Sequence, residues 1–279
     1  MWFRRVFASL AGLAALMLTA SGLAGEPVTV ILATTTSTQD TGLLDVLVPA
    51  FERVHPEIRV KAIAVGTGEA LAMGRRGDAD VLVVHAREGE DRFMAEGHGL
   101  LRYDLMHNDF LLVGPLSDPA GARGKEIVAA LQGIAAARAT FVSRGDQSGT
   151  HVRELGLWKL AGIAPSHASW YLEAGQGMGA TARIASEKQG YTLMDRGSFL
   201  ALRATLALVP VSEGGEVLLN RYGVIVVRPE KHPGVRVVPA TVLADWLVSP
   251  EGQAQIGGFG VERFGQPLFI PDAHPIQTR

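Results

Sequence analysis

Apolar and polar positions follow the same order three times along the chain: an apolar run, a short polar loop and a segment with helical spacing. The apolar runs cover residues 28–33, 58–65 and 139–142. Continuous runs of apolar and β-branched residues are typical of strands that are buried on both faces. Strands that alternate with helices predict a parallel sheet covered by helices.

The spacing within two of the helical segments predicts which residues face the core. The first segment carries apolar residues at intervals of four, four and three positions: Leu43, Leu47, Phe51 and Val54. Pro49 lies inside this segment and predicts a kink or a break there. The other segment starts at Gly149 and carries apolar residues at intervals of three: Val152, Leu155 and Trp158.

Two later segments predict crossings between two lobes. Polar residues at 107–109 interrupt two strand-like pieces within residues 104–115, and a strongly apolar strand at 219–227 makes the return crossing. Other expected elements are helices at 124–138, 180–189, 240–248 and 250–258 and strands at 191–197 and 206–211. The pattern predicts a two-lobed α/β fold, each lobe a helix-flanked mixed sheet, with a ligand cleft between the lobes.

Residues 1–24 predict a signal peptide that is absent from the mature protein. Arg4 and Arg5 form a charged start, residues 6–20 are apolar, and small residues precede a cleavage site after Ala24. The apolar part is short for a bilayer span of about 20 residues, which argues against a membrane anchor. We therefore expect an exported protein in the periplasm.

Charge and cysteine content narrow the function classes. The 279 residues include 26 basic and 28 acidic ones, and removing residues 1–24 takes away two arginines and no acid, so the formal charge changes from −2 to −4. A nucleic-acid surface would be basic, so nucleic acid is not an expected partner. The chain has no cysteine, which excludes disulfides and a lipid anchor on an N-terminal cysteine.

Hydroxyl groups and glycines fill the loops where strands pass into helices. Residues 34–38 read TTTST, residues 66–68 read GTG and residues 143–151 read SRGDQSGTH. The N–H groups in the first turn of a helix lack intrahelical partners and the helix dipole is positive there, so such a start suits an anion. Arg144 adds a planar fork of donors that matches two oxygens of one oxyanion.

Helix capping explains part of the same pattern. Ser148 or Thr150 can cap the helix that starts at Gly149, with Arg144 paired to Asp146. Capping needs only one hydroxyl at each helix, however, and residues 34–37 supply four in succession. Asp78 and Asp80 lack further oxygen ligands for a metal ion, and we interpret them as turn residues.

The motifs together resemble those of the tungstate-binding proteins of ABC-type importers, within the type II periplasmic binding protein superfamily. The resemblance covers nearly the whole mature chain and rests on these stretches: ATTTSTQDTGLL (33–44), VGTGEALAMGRRGDADVLVVHA (65–86), HNDFLLVGP (107–115), SRGDQSGTH (143–151), GQGMG (175–179), YTLMDRGSF (191–199) and LLNRYGVIVV (218–227). TTTS combined with SRGDxSGT is more specific than either motif alone.

The resemblance implies a periplasmic binding protein type II fold that holds an oxyanion between its lobes without a metal or a cofactor. It implies lobe I at residues 25–108 and 222–279 and lobe II at residues 109–221. The implied ligand is tungstate. The implied partner is an ABC permease in the cytoplasmic membrane, to which the protein, as a monomer, would deliver the ion. The implied oxyanion ligands are Thr35, Thr36, Ser37, Thr67, Arg144, Ser148, Gly149 and Thr150, with a further backbone donor within residues 176–178.

Three other functions remain open at the level of the sequence. Molybdate is nearly the same size and charge as tungstate. Residues 144–150 also match the R-x-D-x-S-G-T pattern of phosphate-binding proteins, although phosphate near neutral pH keeps a proton and needs a carboxylate acceptor. An exported serine hydrolase would use Ser148 with His151 or His85 as base, but the glycines of a nucleophile elbow are missing.

Overall fold

The structure, a computed structural model of the chain, describes residues 26–273, apart from the side chain of Ser37. The predicted signal peptide lies outside the described residues. The strands are β1 Val28–Thr35, β2 Ile58–Val65, β3 Val81–Val84, β4 Gly99–Pro115, β5 Phe141–Ser143, β6 Tyr171–Glu173, β7 Thr192–Asp195, β8 Leu208–Ser212, β9 Leu219–Val227 and β10 Ile270–Pro271. The helices are α1 Thr36–Asp40, α2 Leu43–Val54, α3 Thr67–Arg76, α4 Arg87–Ala95, α5 Ile127–Ala137, α6 Gly149–Leu160, α7 Met178–Glu187, α8 Arg196–Leu202, α9 Val237–Val248, α10 Pro250–Gly258 and α11 Val261–Phe264. Within residues 26–273, no helix has both the length and the apolar character that a membrane crossing requires.

The largest sheet begins with a parallel group of strands, as the sequence predicts. β1 lies between β2 and β3 and pairs with both in parallel, so that Thr35, the last residue of β1, is opposite Val65, the last residue of β2. β9 then pairs antiparallel with β3 and with β4. Because the parallel strands end at one edge of the sheet, the loops and helices that follow them share that edge.

β4 is one 17-residue strand and not two interrupted pieces. Up to Asp109 it pairs with β9, and from Phe110 it pairs with β7 and β8. The polar residues that seemed to interrupt it lie where the partners change, and the side chain of Asn220 donates to that of Asn108 at 2.8 Å. The division into two lobes remains a prediction. The point at which β4 changes its partner strands, between Asp109 and Phe110, lies next to the first predicted lobe boundary, between residues 108 and 109.

A second group of elements has its own apolar core. β5 and β6 pair in parallel, and Phe141 of β5 also forms a bridge to Tyr191 just before β7. Phe141 packs edge-on against Trp158, with ring centroids 5.1 Å apart. This core supports the short strand β5, from whose end Arg144 and its loop project.

Two of the predicted elements differ from the structure. α2 is continuous through Pro49, and the interruption comes earlier, at Thr41–Gly42, where Gly42 has φ 83°. The segment predicted as a strand up to residue 197 ends at Asp195, which then caps α8 by accepting the Ser198 N–H at 2.8 Å. In both cases a local turn or cap, and not the apolar pattern, sets the boundary.

The buried face of α6 is not the predicted one. Val152 and Leu155 are exposed, and of the predicted set only Trp158 is buried. The residues of α6 that face the protein interior are Thr150, His151, Glu154, Leu157 and Trp158. A partly polar face of this helix is therefore buried against the core, and an apolar face is exposed to solvent.

Candidate functional site

Three helix starts meet at the carboxyl edge of the parallel strands. α1 starts at Thr36 directly after β1, α3 starts at Thr67 two residues after β2, and α6 starts at Gly149 after the loop that follows β5. The first residues of all three helices line one small cavity. Their N-terminal N–H groups and helix dipoles therefore give this cavity a positive potential without requiring several charged side chains.

The cavity is lined by every residue named above as an oxyanion ligand except Ser37, whose side chain lies outside the described part of the structure. The further donor predicted within residues 176–178 does not line this cavity but the cleft next to it. The walls of the cavity are formed by Thr35, Thr36, Val65, Gly66, Thr67, His85, Arg144, Ser148, Gly149 and Thr150. The centre of a water-sized sphere can reach about 10 Å³ inside it. That is roughly the space of one ordered water, whereas pockets for organic ligands measure about 300 Å³ or more. The cavity is therefore far too small for an organic ligand.

Among the described residues that line the cavity, Arg144 alone carries a permanent positive charge, and its loop holds it in place. The side chain is buried, and its Nε and Nη2 atoms donate to Oδ2 of Asp146 at 3.0 and 2.6 Å. Nη1 donates to Oγ1 of Thr150 at 3.4 Å. A guanidinium carries five N–H donors, so Nη1 and Nη2 each keep one N–H for a ligand.

Asp146 serves this arginine and the backbone. Its Oδ1 accepts the Ser148 N–H at 3.1 Å. Burial acts to raise the pKa of Asp146, but hydrogen bonds from Ser148 and the positive charge of Arg144 outweigh it, and the pKa is lowered. The carboxylate therefore stays ionised and engaged, which is the orienting role that the sequence predicts for it.

Some of the hydroxyls in the predicted site also have structural roles. Oγ of Ser148 accepts the His151 N–H at 3.3 Å and so caps α6. Oγ1 of Thr34 donates to the Val83 carbonyl at 2.9 Å, which ties β1 to β3. Oγ1 of Thr35 lies 2.8 Å from Oγ1 of Thr38. The hydroxyl of Ser148 also bonds the carboxylate of Asp146, and because it has a single O–H, donation to an anion requires that O–H to turn away from Asp146.

Two buried polar atoms on the cavity wall have no hydrogen-bond partner within the part of the chain that the structure describes. They are Oγ1 of Thr67 and Nδ1 of His85. Most buried polar atoms in folded proteins are paired, so an unpaired one calls for an explanation such as a ligand. These two atoms belong to neighbouring elements and line the same small space.

His85 is a site residue that sequence reasoning did not place in the anion site. Burial, with the charges of Arg153 and Arg144 acting in the same direction, lowers its pKa to about 4, against a hydrogen bond to the side chain of Asn220 that acts to raise it. The imidazole is therefore neutral near pH 7, and one tautomer carries an N–H at Nδ1. Its position directly after β3, at the carboxyl end of a parallel strand, is the signal that could have identified it.

Glu154 is a buried carboxyl group behind the Arg144 loop. The hydroxyl of Tyr171 donates to its Oε1 at 2.6 Å. Burial raises the pKa of Glu154 to about 7, although hydrogen bonds from Tyr171 and Ser143 act in the opposite direction. These contacts connect the second turn of α6 to the ends of β5 and β6, so Glu154 helps to hold the Arg144 loop in position.

The raised pKa of Glu154 predicts a pH-dependent stability. Between about pH 4.5 and 7 the folded protein keeps a proton on Glu154 that the unfolded chain has released, so the stability contribution is highest at or below pH 4.5 and declines as the pH rises to 7. Replacement by glutamine removes this titration. As the pH rises from about 4.5 to 7, we expect the free energy of unfolding of Glu154→Gln to increase relative to that of the parent by up to roughly 3 kcal/mol.

Urea unfolding of both proteins at pH 4.5, 5.5, 6.5 and 7.5 measures this difference. Glu187→Gln changes an exposed glutamate and is the matched control, expected to follow the parent at every pH. Parallel curves for Glu154→Gln and the parent would show that Glu154 titrates normally.

The aspartates before β3 have structural partners. Asp80 is buried and accepts the Ile31 N–H at 2.7 Å and the Arg236 N–H at 2.8 Å, and Asp78 pairs with Arg76. Across residues 26–273 the structure forms no cluster of three or more histidine or acidic side chains suited to a metal ion.

Comparisons with known proteins show which family this chain belongs to. A family profile described as a PBP superfamily domain matches residues 22–251. The tungstate-binding protein TupA of Peptoclostridium acidaminophilum is 47% identical over 247 residues, which cover 88% of this chain and 86% of that protein. A putative ABC transporter anion-binding protein of Haloferax volcanii is 50% identical over 248 residues, covering 87% of this chain and 71% of that protein.

Solved structures give the same result. The tungstate-binding protein TupA from Desulfovibrio alaskensis G20 superposes with a TM-score of 0.80 at 44% identity, covering 88% of this chain and 100% of that chain. The structure described as the tungstate ABC transporter from Geobacter sulfurreducens gives a TM-score of 0.75 at 49% identity, covering 83% of this chain and 98% of that chain. These similarities confirm the predicted fold class.

Proposed function

We propose that this chain, which belongs to the PBP superfamily and within it to the family of the tungstate-binding proteins, captures tungstate and delivers it to an ABC importer. In this function the protein works in the periplasm after removal of residues 1–24, and the bound oxyanion leaves it chemically unchanged. The proposed ligands are those predicted from the sequence, with His85 added.

The observation that carries the proposal is a pair of buried atoms without a hydrogen-bond partner among residues 26–273, Oγ1 of Thr67 and Nδ1 of His85, beside Arg144 in a cavity that is too small for an organic ligand. Tungstate has no proton to donate, so each of its oxygens needs donors. Hydroxyls, helix N–H groups, a neutral imidazole and a guanidinium supply them. None of the described residues that line the cavity carries a carboxylate, which a protonated phosphate would need as an acceptor.

The neighbouring cleft supports a capture mechanism. A space of about 660 Å³ adjoins the cavity and shares Thr36, Gly66, Arg144 and Ser148 with it. Gly177 and Met178, at the start of α7, also line this cleft. The anion enters through the cleft and is enclosed when the two groups of donors close on it. Exclusion of water then strengthens each charge-assisted hydrogen bond.

The contacts of Ser148 favour binding over hydrolysis. A nucleophilic serine needs a base within hydrogen-bond distance. The hydroxyl of Ser148 caps α6 and bonds Asp146, whose carboxylate is already held by Arg144, and Nδ1 of His151 accepts the Gln147 N–H at 3.1 Å, so that His151 is not placed as a base for Ser148. His151, one of the two bases considered from the sequence, is itself buried.

Calorimetric titration of the mature protein with tungstate, molybdate, sulfate and phosphate tests the proposal. We expect tight binding of tungstate, weaker binding of molybdate and no signal from sulfate or phosphate. Preferred binding of phosphate would mean that a carboxylate such as Asp146 acts as an acceptor in the site. No signal from any of the four anions would overturn the oxyanion function.

Thr67→Val tests the contribution of one unpaired hydroxyl. Valine has the same shape but no donor, so we expect about 10-fold weaker tungstate binding, the lower end for a hydrogen bond to a charged group. Thr205→Val removes an exposed hydroxyl outside the cavity and should bind as the parent does. Equal affinity of Thr67→Val and the parent would remove Thr67 from the site.

A further inference from the structure

The two ring nitrogens of His85 have different surroundings. Nδ1 is buried at the anion cavity and has no hydrogen-bond partner among residues 26–273. A Cβ atom on Gly149 would lie 3.3 Å from Nδ1 and 3.4 Å from Oγ1 of Thr67, so these two atoms border the same point of the cavity. His85 also forms a hydrogen bond with the side chain of Asn220. Because Nδ1 has no partner, this bond is made by the other nitrogen, Nε2.

The other contacts of Asn220 determine which of its atoms faces His85. Its Nδ2 donates to Oδ1 of Asn108 at 2.8 Å and to Oη of Tyr222 at 3.1 Å, and Tyr222 also packs against the ring of His85. A side-chain amide nitrogen carries two N–H groups, so both are used in these contacts. The atom of Asn220 that remains for His85 is the carbonyl oxygen Oδ1, which only accepts. Nε2 of His85 must therefore carry an N–H.

The anion and Asn220 compete for the single N–H of a neutral His85 ring. When Asn220 holds this N–H at Nε2, Nδ1 presents a lone pair to the cavity. A lone pair repels an anion that has no proton of its own. A neutral ring can donate to tungstate from Nδ1 only by withdrawing the N–H from Asn220, which would leave two acceptors facing each other. The imidazolium, with an N–H on both nitrogens, satisfies the anion and Asn220 together.

The charges around His85 keep it neutral until an anion arrives. Burial and the positive charges of Arg153 and Arg144 hold the pKa of the ring at about 4. On α4, the carboxylate of Glu90 is paired with Arg102 and is not free to balance the ring. An opposite charge within hydrogen-bond distance raises the pKa of a base by about 1 to 3, and tungstate brings two negative charges, so we expect a pKa above about 6 in the complex.

We propose that His85 takes up one proton when tungstate binds and holds the anion as an imidazolium. The inference rests on the proposed function and adds the dependence of that function on pH. The proton comes from the solvent and goes to Nδ1, and no bond of the anion forms or breaks. Asn220 is a positioning residue, because it keeps the first N–H at Nε2. Binding of the anion is thereby coupled to the polar contacts that join β4 to β9.

Calorimetric titration in buffers of different ionisation enthalpy counts the protons. The mature protein is titrated with tungstate at pH 6 and 7 in three buffers without phosphate or sulfate, and the slope of observed enthalpy against ionisation enthalpy gives the uptake. We expect about 0.5 to 1 proton per tungstate at pH 6. Between pH 6 and the pKa of the complex, the affinity should fall by up to about 10-fold per pH unit, because only the complex holds the proton. Tight binding without uptake would overturn the inference and leave the proposed function intact.

Four variants assign the proton to a residue. His85→Asn keeps a neutral amide near the position of Nδ1 but cannot titrate, so it should bind tungstate more weakly and without proton uptake. Asn220→Leu removes the oxygen that holds the N–H at Nε2 and should lower the uptake. Glu154→Gln removes another buried group that titrates near neutral pH and should keep the uptake of the parent. His167→Asn changes an exposed histidine whose φ of 69° suits asparagine, and this matched control should also keep it. Undiminished uptake in His85→Asn would assign the proton elsewhere and overturn the inference.

Nitrogen-15 NMR of the histidine rings shows the position of each proton in the parent protein, whatever the affinity of the variants. The signals of His85 are those that are missing from the spectrum of His85→Asn. At pH 6 we expect an N–H only on Nε2 without the anion and on both nitrogens in the tungstate complex.

Two other results would contradict this expectation in different ways. An N–H on Nδ1 without the anion would mean that both asparagine amides are reversed, with Nδ2 of Asn108, which has no partner among residues 26–273, donating to Asn220. That result would overturn the inference. A parent protein that does not bind tungstate in the calorimeter would instead overturn the proposed function.

Discussion

Arg144→Ala is expected to weaken tungstate binding by roughly 10²- to 10⁴-fold. A hydrogen bond to a charged group contributes about 1.5–3 kcal/mol, and the guanidinium has two N–H groups left to offer. Each 1.4 kcal/mol corresponds to about a factor of ten in affinity. Arg144 is buried and is held by Asp146 through two contacts, so it is positioned before the anion arrives.

The alanine variant also leaves Asp146 without its arginine, so the fold has to be checked by thermal melting without ligand. Arg144→Lys keeps the positive charge but replaces the planar fork with a single ammonium group, and we expect an affinity between those of alanine and the parent. Arg53→Ala removes an exposed arginine from α2 and is the matched control. Full affinity in a folded Arg144→Ala protein would place the anion elsewhere.

The helix starts could be predicted from the sequence because their signals are local. Each apolar run ends in hydroxyls or glycines and is followed by residues with helical spacing. Neighbouring residues alone therefore predict the three strand-to-helix transitions, from β1 to α1, from β2 to α3 and from β5 to α6. β1 and β2 pair in parallel and end at one edge of their sheet, which brings the starts of α1 and α3 together. α6 follows β5, which belongs to a separate two-stranded sheet, and its start reaches the same cavity through the packing of the two groups of elements. The resemblance to a family then selected the ligands among the many hydroxyls.

His85 could not be assigned in the same way. A single histidine after a buried strand reads equally well as a core residue. Its role depends on the low pKa that burial imposes and on an unpaired Nδ1, and both depend on distant residues. Gly149 is within van der Waals distance of this ring only because the second group of elements packs onto the first.

The error on α6 has a related cause. Periodicity identifies an apolar face but does not say what covers it. Val152 and Leu155 satisfy the helical spacing, yet the interior of the protein takes the face with Glu154, whose carboxyl is paired with Tyr171. An apolar face that the protein itself leaves exposed has the same sequence pattern as a core face, and only the packing separates the two.

Gly149→Ala is expected to reduce tungstate binding by roughly 100-fold or more, because it disturbs donors on both sides of the cavity. A Cβ atom on Gly149 would lie 2.8 Å from Cε1 of His85 and 3.4 Å from Oγ1 of Thr67. The first distance is too short for a carbon–carbon contact. The His85 ring cannot easily withdraw, because it packs against Tyr222 with ring centroids 4.8 Å apart. The start of α6 must therefore move away from the ring.

The same substitution should not harm the fold of α6, because alanine favours a helix over glycine by up to about 1 kcal/mol. Gly156→Ala is the control on the same helix, since its Cβ meets nothing within 4 Å. We expect Gly156→Ala to bind tungstate as the parent does and to melt at the same temperature or slightly higher. Calorimetry and thermal melting on the three proteins separate a loss of closure from a loss of folding. Parent-like affinity in Gly149→Ala would mean that α6 and His85 do not close on the anion together.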